Sequence, residues 1–171
     1  MDKFQAFLAT PAGRFVLRYL VALGIAFALM ALPPVNEHVV NPYTTFVAKE
    51  GALALRLFGE AVTVKEQILA SPRFAVAIFN GCNGLEAILI FACGVLAFPA
   101  PVRPKLLGLA MGFVGIQVFN VVRIVALYYT GVFRPQWFSA AHVLVWQSLV
   151  ILFAVSLWVI WAQRYGTSKA R

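Results

Sequence analysis

Four long apolar runs are separated by more polar segments along this 171-residue sequence. They cover residues 15–32, 79–98, 106–129 and 140–161. Each run is long enough to cross the roughly 30 Å hydrocarbon core of a bilayer as a helix. The pattern therefore predicts an all-α fold, a polytopic membrane bundle of about four transmembrane helices.

The first apolar run admits two interpretations. Arg14 and Arg18 precede its apolar core, as basic residues precede the core of a signal peptide. Its core is long, however, and Pro33 and Pro34 follow it without a good small-residue cleavage site. We therefore interpret it as an uncleaved anchor, so that residues 1–171 form a single integral-membrane domain.

One sizeable polar segment, residues 33–78, separates the first two runs, and we interpret it as a small extracytoplasmic cap. Asn41 is a suitable N-cap, Pro42 stands at the first helical position, and Gly59 follows the end of a predicted helix. Charged residues interrupt its apolar positions, which is typical of an amphipathic helix on the outer membrane surface. Further along, β-branched residues flank a polar break at 70–72, which predicts a β-hairpin.

Composition supports a membrane protein and argues against a nucleic-acid partner. The sequence is 62% hydrophobic, and only 12% of it is charged, against roughly 25% in a soluble domain. The net charge is +8, but the basic residues do not gather on one amphipathic face or beside stacking aromatics, as nucleic-acid binding requires. They lie instead in the short segments between apolar runs. No sequence feature indicates a metal or an organic cofactor.

The distribution of Lys and Arg predicts the orientation in the membrane. If both termini and the loop at residues 99–105 share one side, that side holds a large basic excess against a single acid: Lys3, Arg14, Arg18, Arg103, Lys105, Arg164, Lys169 and Arg171 against Asp2. On the other side, four glutamates nearly balance five basic residues. The basic side is expected to be cytoplasmic.

Few ionisable side chains fall within the apolar runs, and such residues are functional candidates because burying a charge in lipid is costly. They are Glu86, Arg123 and, near a boundary, His142. Cys82 joins them by position, since it stands at the outer start of the second predicted helix. Arg123 would lie about 9 Å below the outer end of the third helix if that helix ends near Tyr129. Cys82, Arg123 and His142 are therefore expected in one depth band at the outer leaflet.

Helical spacing gives each predicted helix one polar face in that band. Three pairs of residues lie three or four positions apart and so share a face: Cys82 with Glu86, Asn120 with Arg123, and His142 with Trp146. Short loops force antiparallel neighbours together. Gly108 and Gly112 at small-xxx-small spacing would also let the third helix approach another closely.

A thiol, an imidazole and a guanidinium are the groups that acyl transfer needs: a nucleophile, a base and a stabiliser of the oxyanion. A helix N-terminus and Arg123 are expected to lower the pKa of Cys82, whereas Cys93 is expected to be an inert core residue. Alternatives stay open. Cys82 could be a boundary packing residue, Arg123 could snorkel or pair with Glu86, and His142 could be a simple interfacial histidine. Glu86 could orient His142, pair with Arg123 or stay protonated.

At these residues the sequence resembles the exosortase/archaeosortase family of multi-pass membrane transpeptidases, and most closely the small exosortase H type. The resemblance covers nearly the whole chain. Three motifs carry it in order, separated by apolar spans: "NGCNGLEA" with Cys82, "NVVRI" with Arg123 and "AAHVLVWQ" with His142. It implies a Cys-Arg-His site that cleaves the C-terminal sorting signal of exported proteins through a thioester and passes them to an acceptor. Such signals consist of a short motif, here expected to resemble IPTLxxWG, a transmembrane helix and a basic tail.

We therefore expect a multi-pass cysteine transpeptidase of a bacterial cytoplasmic (inner) membrane, with both termini cytoplasmic and its site facing the periplasm. Cys82 would be the nucleophile, His142 the acid and base, and Arg123 the stabilising cation. Four further residues are candidates for supporting or substrate contacts: Asn80, Asn83, Glu86 and Asn120. The expected partners are membrane-anchored substrate proteins and the lipid bilayer. The alternative is a non-enzymatic transporter or assembly subunit, with a structural or proton-relay network of Glu86, Arg123 and His142.

Overall fold

The computed structural model describes residues 3–166, and the terminal residues Asp2, Lys169 and Arg171 used in the charge count lie outside them. The fold is an all-α polytopic bundle with one small sheet, as predicted. Its helices are α1 Lys3–Ala9, α2 Pro11–Met30, α3 Pro33–Val35, α4 Asn41–Leu57, α5 Leu85–Ala97, α6 Val102–Phe133, α7 Phe138–Ala140 and α8 Gln147–Gly166. Two π-helical segments, Asn36–Val40 and Ala141–Trp146, and a 3-10 turn, Pro135–Trp137, join neighbouring helices.

Three helical runs in the described part of the chain are long and apolar enough to span a membrane: Pro11–Met30, Val102–Phe133 and Pro135–Tyr165. The second predicted span, 79–98, is shorter than expected. Its helix α5 has 13 residues and begins at Leu85, so it is roughly 20 Å long. Gly81 and Gly84 have φ angles of 86° and 78°, a left-handed conformation that breaks the helical path.

Helices α2, α5, α6 and α8 pack into one bundle, and α6 contacts α5 and α8 closely at glycine positions. A Cβ atom added to Gly112 of α6 would lie 2.0 Å from the Phe91 ring of α5. One added to Gly108 would lie 2.4 Å from the Trp161 indole of α8. The small-residue spacing on α6 therefore does permit the close helix approach that it predicts.

The segment between α2 and α5 forms a cap of helix and sheet. The sheet has the order β1-β2-β3 with both pairs antiparallel, and its strands are Thr63–Lys65, Ile68–Ala70 and Ala75–Ala77. The predicted hairpin is confirmed as β2 and β3, and β1 adds a strand that the sequence did not predict. One face of α4 is buried in the same core.

Two predicted details of the helix ends are wrong. Asn41 is not an N-cap, because Val40 before it is helical (φ −70°, ψ −46°) and the π-helical segment continues the chain back towards Pro33. Helix α6 ends at Phe133 and not near Tyr129, so Arg123 lies ten residues, roughly 15 Å, from its end. Gly59 does follow the end of α4 with a φ of 85°.

Candidate active site

Cys82 lies in a tight turn between β3 and α5, not on a helix as predicted. Its N–H donates to the carbonyl of Phe79 at 2.9 Å, and the positive φ angles of Gly81 and Gly84 bracket it. The residue is 7% exposed and belongs to the core that α4, the sheet and α6 share. The turn thus holds the thiol in a fixed position where the cap meets the bundle.

His142 lies beside this thiol although 60 residues separate the two in sequence. The Nε2 atom of His142 is within hydrogen-bonding distance of Cys82 Sγ. Its ring stacks on Phe138, one turn earlier, with ring centroids 6.2 Å apart and an interplanar angle of 13°. The contact places a base directly against the candidate nucleophile.

Arg123 completes the cluster from the side of α6. The residue is 1% exposed, and its Nη2 atom donates to Cys82 Sγ at 3.7 Å and to Gln147 Oε1 at 3.0 Å. Nη1 donates to the Gly81 carbonyl at 3.3 Å. The buried Nε atom has no hydrogen-bond partner among the described residues. The guanidinium therefore contacts the thiol, and its Nε–H donor is still without a partner among the described residues.

The predicted supporting residues differ in what they contact. Asn83 is fully buried; its Nδ2 donates to Thr44 Oγ1 at 2.9 Å and to Asn80 Oδ1 at 3.4 Å. Its Oδ1 accepts from the N–H of Leu85 at 3.0 Å, which stabilises the start of α5. Asn120 packs against the backbone of Gly84, so that a Cβ there would lie 3.0 Å from its Cγ. The Asn120 amide is buried without a hydrogen-bond partner among the described residues.

In the described part of the chain, Glu86 makes neither of the two direct contacts, with His142 or with Arg123, that the sequence left open. Cys82 is in the turn and Glu86 in the first turn of α5, so the two do not share a helical face as predicted. Within residues 3–166, no hydrogen bond or ion pair joins Glu86 to Arg123 or His142.

The sequence did not single out Gln147, Thr44 or Phe138. Gln147 follows His142 by five residues, a spacing that puts two side chains on different faces of an α-helix. Residues Ala141–Trp146 are π-helical, and the wider π turn, with i to i+5 hydrogen bonding, brings residues five apart towards one face. A pattern search that assumes an α-helix therefore does not place Gln147 on the same face as His142, and it does not predict that Gln147 contacts Arg123. Thr44 meets Asn83 from 39 positions away, a contact that no local pattern indicates. Phe138 stands four residues before His142, a spacing that could have indicated the contact because it puts two helical residues on one face.

A cavity of about 310 Å³ opens beside the cluster. Cys82 and His142 line it together with β3, and aromatic and aliphatic side chains, including Phe79, Leu127 and Phe138, form most of the remaining wall. Within residues 3–166, no group of three or more His, Cys, Asp or Glu side chains is placed to hold a metal ion. Cys82 and His142 can therefore present a thiol and a base to a ligand in one mostly apolar cavity, while the buried Arg123, which is not part of the cavity wall, contacts the thiol.

The sequence-based prediction of a lowered pKa for Cys82 is wrong. Burial raises the pKa of this thiol, and the nearby Arg123 opposes that rise without overcoming it. The protonated thiol is thus favoured in the resting state. A base that takes the proton during attack becomes necessary, and His142 Nε2 is in position to do so.

We expect alkylation of Cys82 by a charged, membrane-impermeant reagent to accelerate as pH rises past the ordinary thiol range, because only the thiolate reacts. Arg123→Ala removes the one effect that lowers this pKa, so its rate profile should move to still higher pH. The rate is measured by mass spectrometry of intact protein in membranes. Arg134→Ala, which changes an exposed arginine beyond α6, is the matched control and should leave the profile in place. A profile that Arg123→Ala does not move would contradict the electrostatic coupling.

These features define a multi-pass membrane protein in which a cysteine and a histidine line one cavity beside a small cap and a buried arginine contacts the cysteine. The family model described as Transmembrane exosortase (Exosortase_EpsH) matches residues 6–162, and the chain belongs to this family. No curated protein and no solved structure matched the chain.

Proposed function

We propose that this protein is a membrane-embedded cysteine transpeptidase that cleaves a C-terminal sorting signal and transfers the remaining protein to an acceptor. The observation that carries the proposal is the contact between Cys82 Sγ and His142 Nε2. Membership of the exosortase family supports a peptidase or transpeptidase activity. Within this family the chain most resembles the small exosortase H type.

In the proposed reaction, His142 Nε2 takes the thiol proton as Cys82 Sγ attacks the scissile carbonyl. The bond from sulfur to carbon forms, and the carbonyl oxygen becomes an oxyanion. Protonated His142 then gives its proton to the leaving amine as the carbon–nitrogen bond breaks, which leaves a thioester on Cys82. An acceptor nucleophile, or water, attacks this thioester and regenerates the thiol.

Arg123 is the proposed stabiliser of the oxyanion. The N–H of Cys82 already donates to Phe79, so the nucleophile's own amide does not serve as an oxyanion donor in this conformation. The Arg123 guanidinium is buried beside Sγ, where a fixed cation stabilises developing negative charge more than it would in water. Gln147 and the Gly81 carbonyl hold the guanidinium in place.

The proposed substrates are exported proteins with a C-terminal motif, a transmembrane helix and a basic tail. Their helix would lie beside the bundle in the bilayer and supply binding energy remote from the scissile bond. The basic excess near residues 14–18 and 103–105 supports cytoplasmic termini in a bacterial inner membrane, with Cys82 on the periplasmic side. The alternative of a Glu86-Arg123-His142 relay lacks support, since no hydrogen bond or ion pair joins Glu86 to either partner in the described residues.

Trapping the thioester tests the proposal. Purified protein is incubated with a substrate that carries the C-terminal signal, quenched in acid and digested. Mass spectrometry should find the substrate joined to the peptide containing Cys82, and neutral hydroxylamine should release it, because thioesters react with hydroxylamine. Cys93 provides the internal control and should stay unmodified. Processing with the adduct on a residue other than Cys82 would refute this assignment.

A further inference from the structure

Strand β3 is the edge strand of the cap sheet, and it lies at the site cavity. The sheet order is β1-β2-β3, so β3 pairs with β2 on one side only. All three of its residues, Ala75–Ala77, line the cavity that also contains Cys82 and His142. A free strand edge offers a row of N–H and C=O groups on which another strand can pair.

The hydrogen-bond pattern of the hairpin determines which groups of β3 are free. At one end, the N–H of Ser71 donates to the Phe74 carbonyl at 3.0 Å. At the other end, the N–H of Ile78 donates to the Gln67 carbonyl at 2.9 Å. These two hydrogen-bonded pairs stand four residues apart along β3. Bonded and non-bonded pairs alternate in an antiparallel ladder, so the bonded positions on β3 have even numbers.

Ala75 and Ala77 are therefore the non-bonded positions opposite Ala70 and Ile68. Their N–H and C=O groups point away from β2, while those of Val76 pair with it. Within the part of the chain that the structure describes, no other element forms a hydrogen bond with this outer edge. The side chain of Val76 is buried and that of Ala75 is exposed, so one face of the strand packs on the core and the other face is open.

We propose that the substrate segment beside the scissile bond docks as an added strand on the free edge of β3. This docking mode rests on the proposed peptidase function and specifies how that site holds its substrate. The chain runs from β3 through Phe79 and Asn80 to Cys82, and all of these residues line the same cavity. A peptide that follows the edge is thereby led along the wall to the thiol.

Strand addition explains how an apolar cavity binds a peptide backbone. Amide groups that leave water need new hydrogen-bond partners, since a buried unpaired amide is costly. The outward N–H and C=O groups of Ala75 and Ala77 provide four such partners in a sequence-independent way. Specificity would then come from alternate side chains of the added strand, for which the Phe79 and Phe138 wall offers apolar contacts.

An N-methyl scan of a bound peptide tests this docking mode. The probe is a fluorescent peptide containing IPTLAAWG, and the protein is the full-length Cys82→Ser variant in lipid nanodiscs, so that binding is measured without cleavage. Each peptide N–H is methylated in turn, and affinity is measured by fluorescence anisotropy. Two positions separated by one residue should each weaken binding about 10-fold or more. The position between them should change it by less than about 3-fold, because its N–H points away from β3.

A pair of protein variants tests the same edge by removing a hydrogen-bond donor of β3 instead of one of the peptide. Ala77→Pro removes the outward N–H, and proline is tolerated where that N–H is not part of the ladder. It should weaken binding about 10-fold, whereas Ala77→Ser, which keeps the N–H and a small side chain, should not. If Ala77→Pro fails to insert into the membrane, the N-methyl scan still decides the question.

Cleavage of the unmodified peptide by the wild-type protein is measured in parallel. If the peptide is cleaved, and N-methylation weakens its binding equally at every position or at none, strand docking is overturned and the peptidase proposal stays intact. An alternating pattern without cleavage supports the docking mode and counts against the peptidase. Absence of binding overturns strand docking, as does evidence that a second copy of this chain occupies the edge, seen as a dimer that Ala77→Pro dissociates.

Discussion

Replacing Cys82 with serine is expected to reduce processing of a signal-bearing substrate by at least about 10³-fold, because a hydroxyl is a far weaker nucleophile than a thiol activated by His142. Serine preserves the size and polarity of the side chain, so the turn between β3 and α5 should still fold. The assay compares cleaved and uncleaved substrate in membranes of cells that express each variant at equal level.

Cys93→Ser is the matched control for this prediction. Cys93 is also buried, 5% exposed, but it lies on α5, eleven residues beyond Cys82, and its substitution should change the processing rate by less than about 3-fold. If the Cys82→Ser protein processes substrate at the wild-type rate, the thiol of Cys82 has no role in the reaction. That result would favour the alternative of a non-enzymatic membrane subunit.

Arg123→Lys is expected to reduce processing about 10²-fold while the protein remains in the membrane at normal yield. Lysine keeps the positive charge but lacks the planar fork of the guanidinium. Arg123 now contacts three groups at once: the thiol of Cys82, the Gly81 carbonyl and Gln147. A single ammonium cannot reproduce that geometry and also face an oxyanion, so the loss should appear in turnover.

The comparison of processing rate with protein level separates a catalytic role of Arg123 from a structural one. Arg134→Lys, on an exposed arginine at the end of α6, should alter neither quantity. Processing by Arg123→Lys at the native rate would make the residue a counter-ion. Loss of the protein from the membrane, with Gln147→Ala equally destabilising, would indicate that the buried guanidinium mainly supports the packing of α6 against α8.

Much of the fold could be predicted from local pattern. Apolar runs long enough to cross a bilayer gave the three full-length spans and the class of fold, because run length and hydropathy are properties of contiguous residues. Turn residues similarly predicted the hairpin of β2 and β3. The start of α5 could not be predicted in this way. Residues 79–84 are partly apolar, and the left-handed glycines that exclude them from the helix act through backbone conformation and not through hydropathy.

The candidate site could likewise be predicted from the sequence only in part. The three residues with acyl-transfer chemistry were recognisable because thiols, imidazoles and guanidinium groups stand out in apolar surroundings. Their supporting contacts were not. Asn83 meets Thr44 from 39 positions away, and Gln147 reaches Arg123 across a π-helical turn. Neither residue type nor spacing within one helix signals such pairs.

The sequence by itself determined the membrane class, three of the four predicted spans and the identity of the residues able to form a Cys-Arg-His cluster, since all of these depend on side-chain chemistry and on distances measured along the chain. Only the tertiary structure decided that Cys82 sits in a turn, that burial raises its pKa and that the edge of β3 opens on the same cavity. Desolvation and strand pairing arise from what other segments of the chain bring close, and a one-dimensional pattern does not contain those distances.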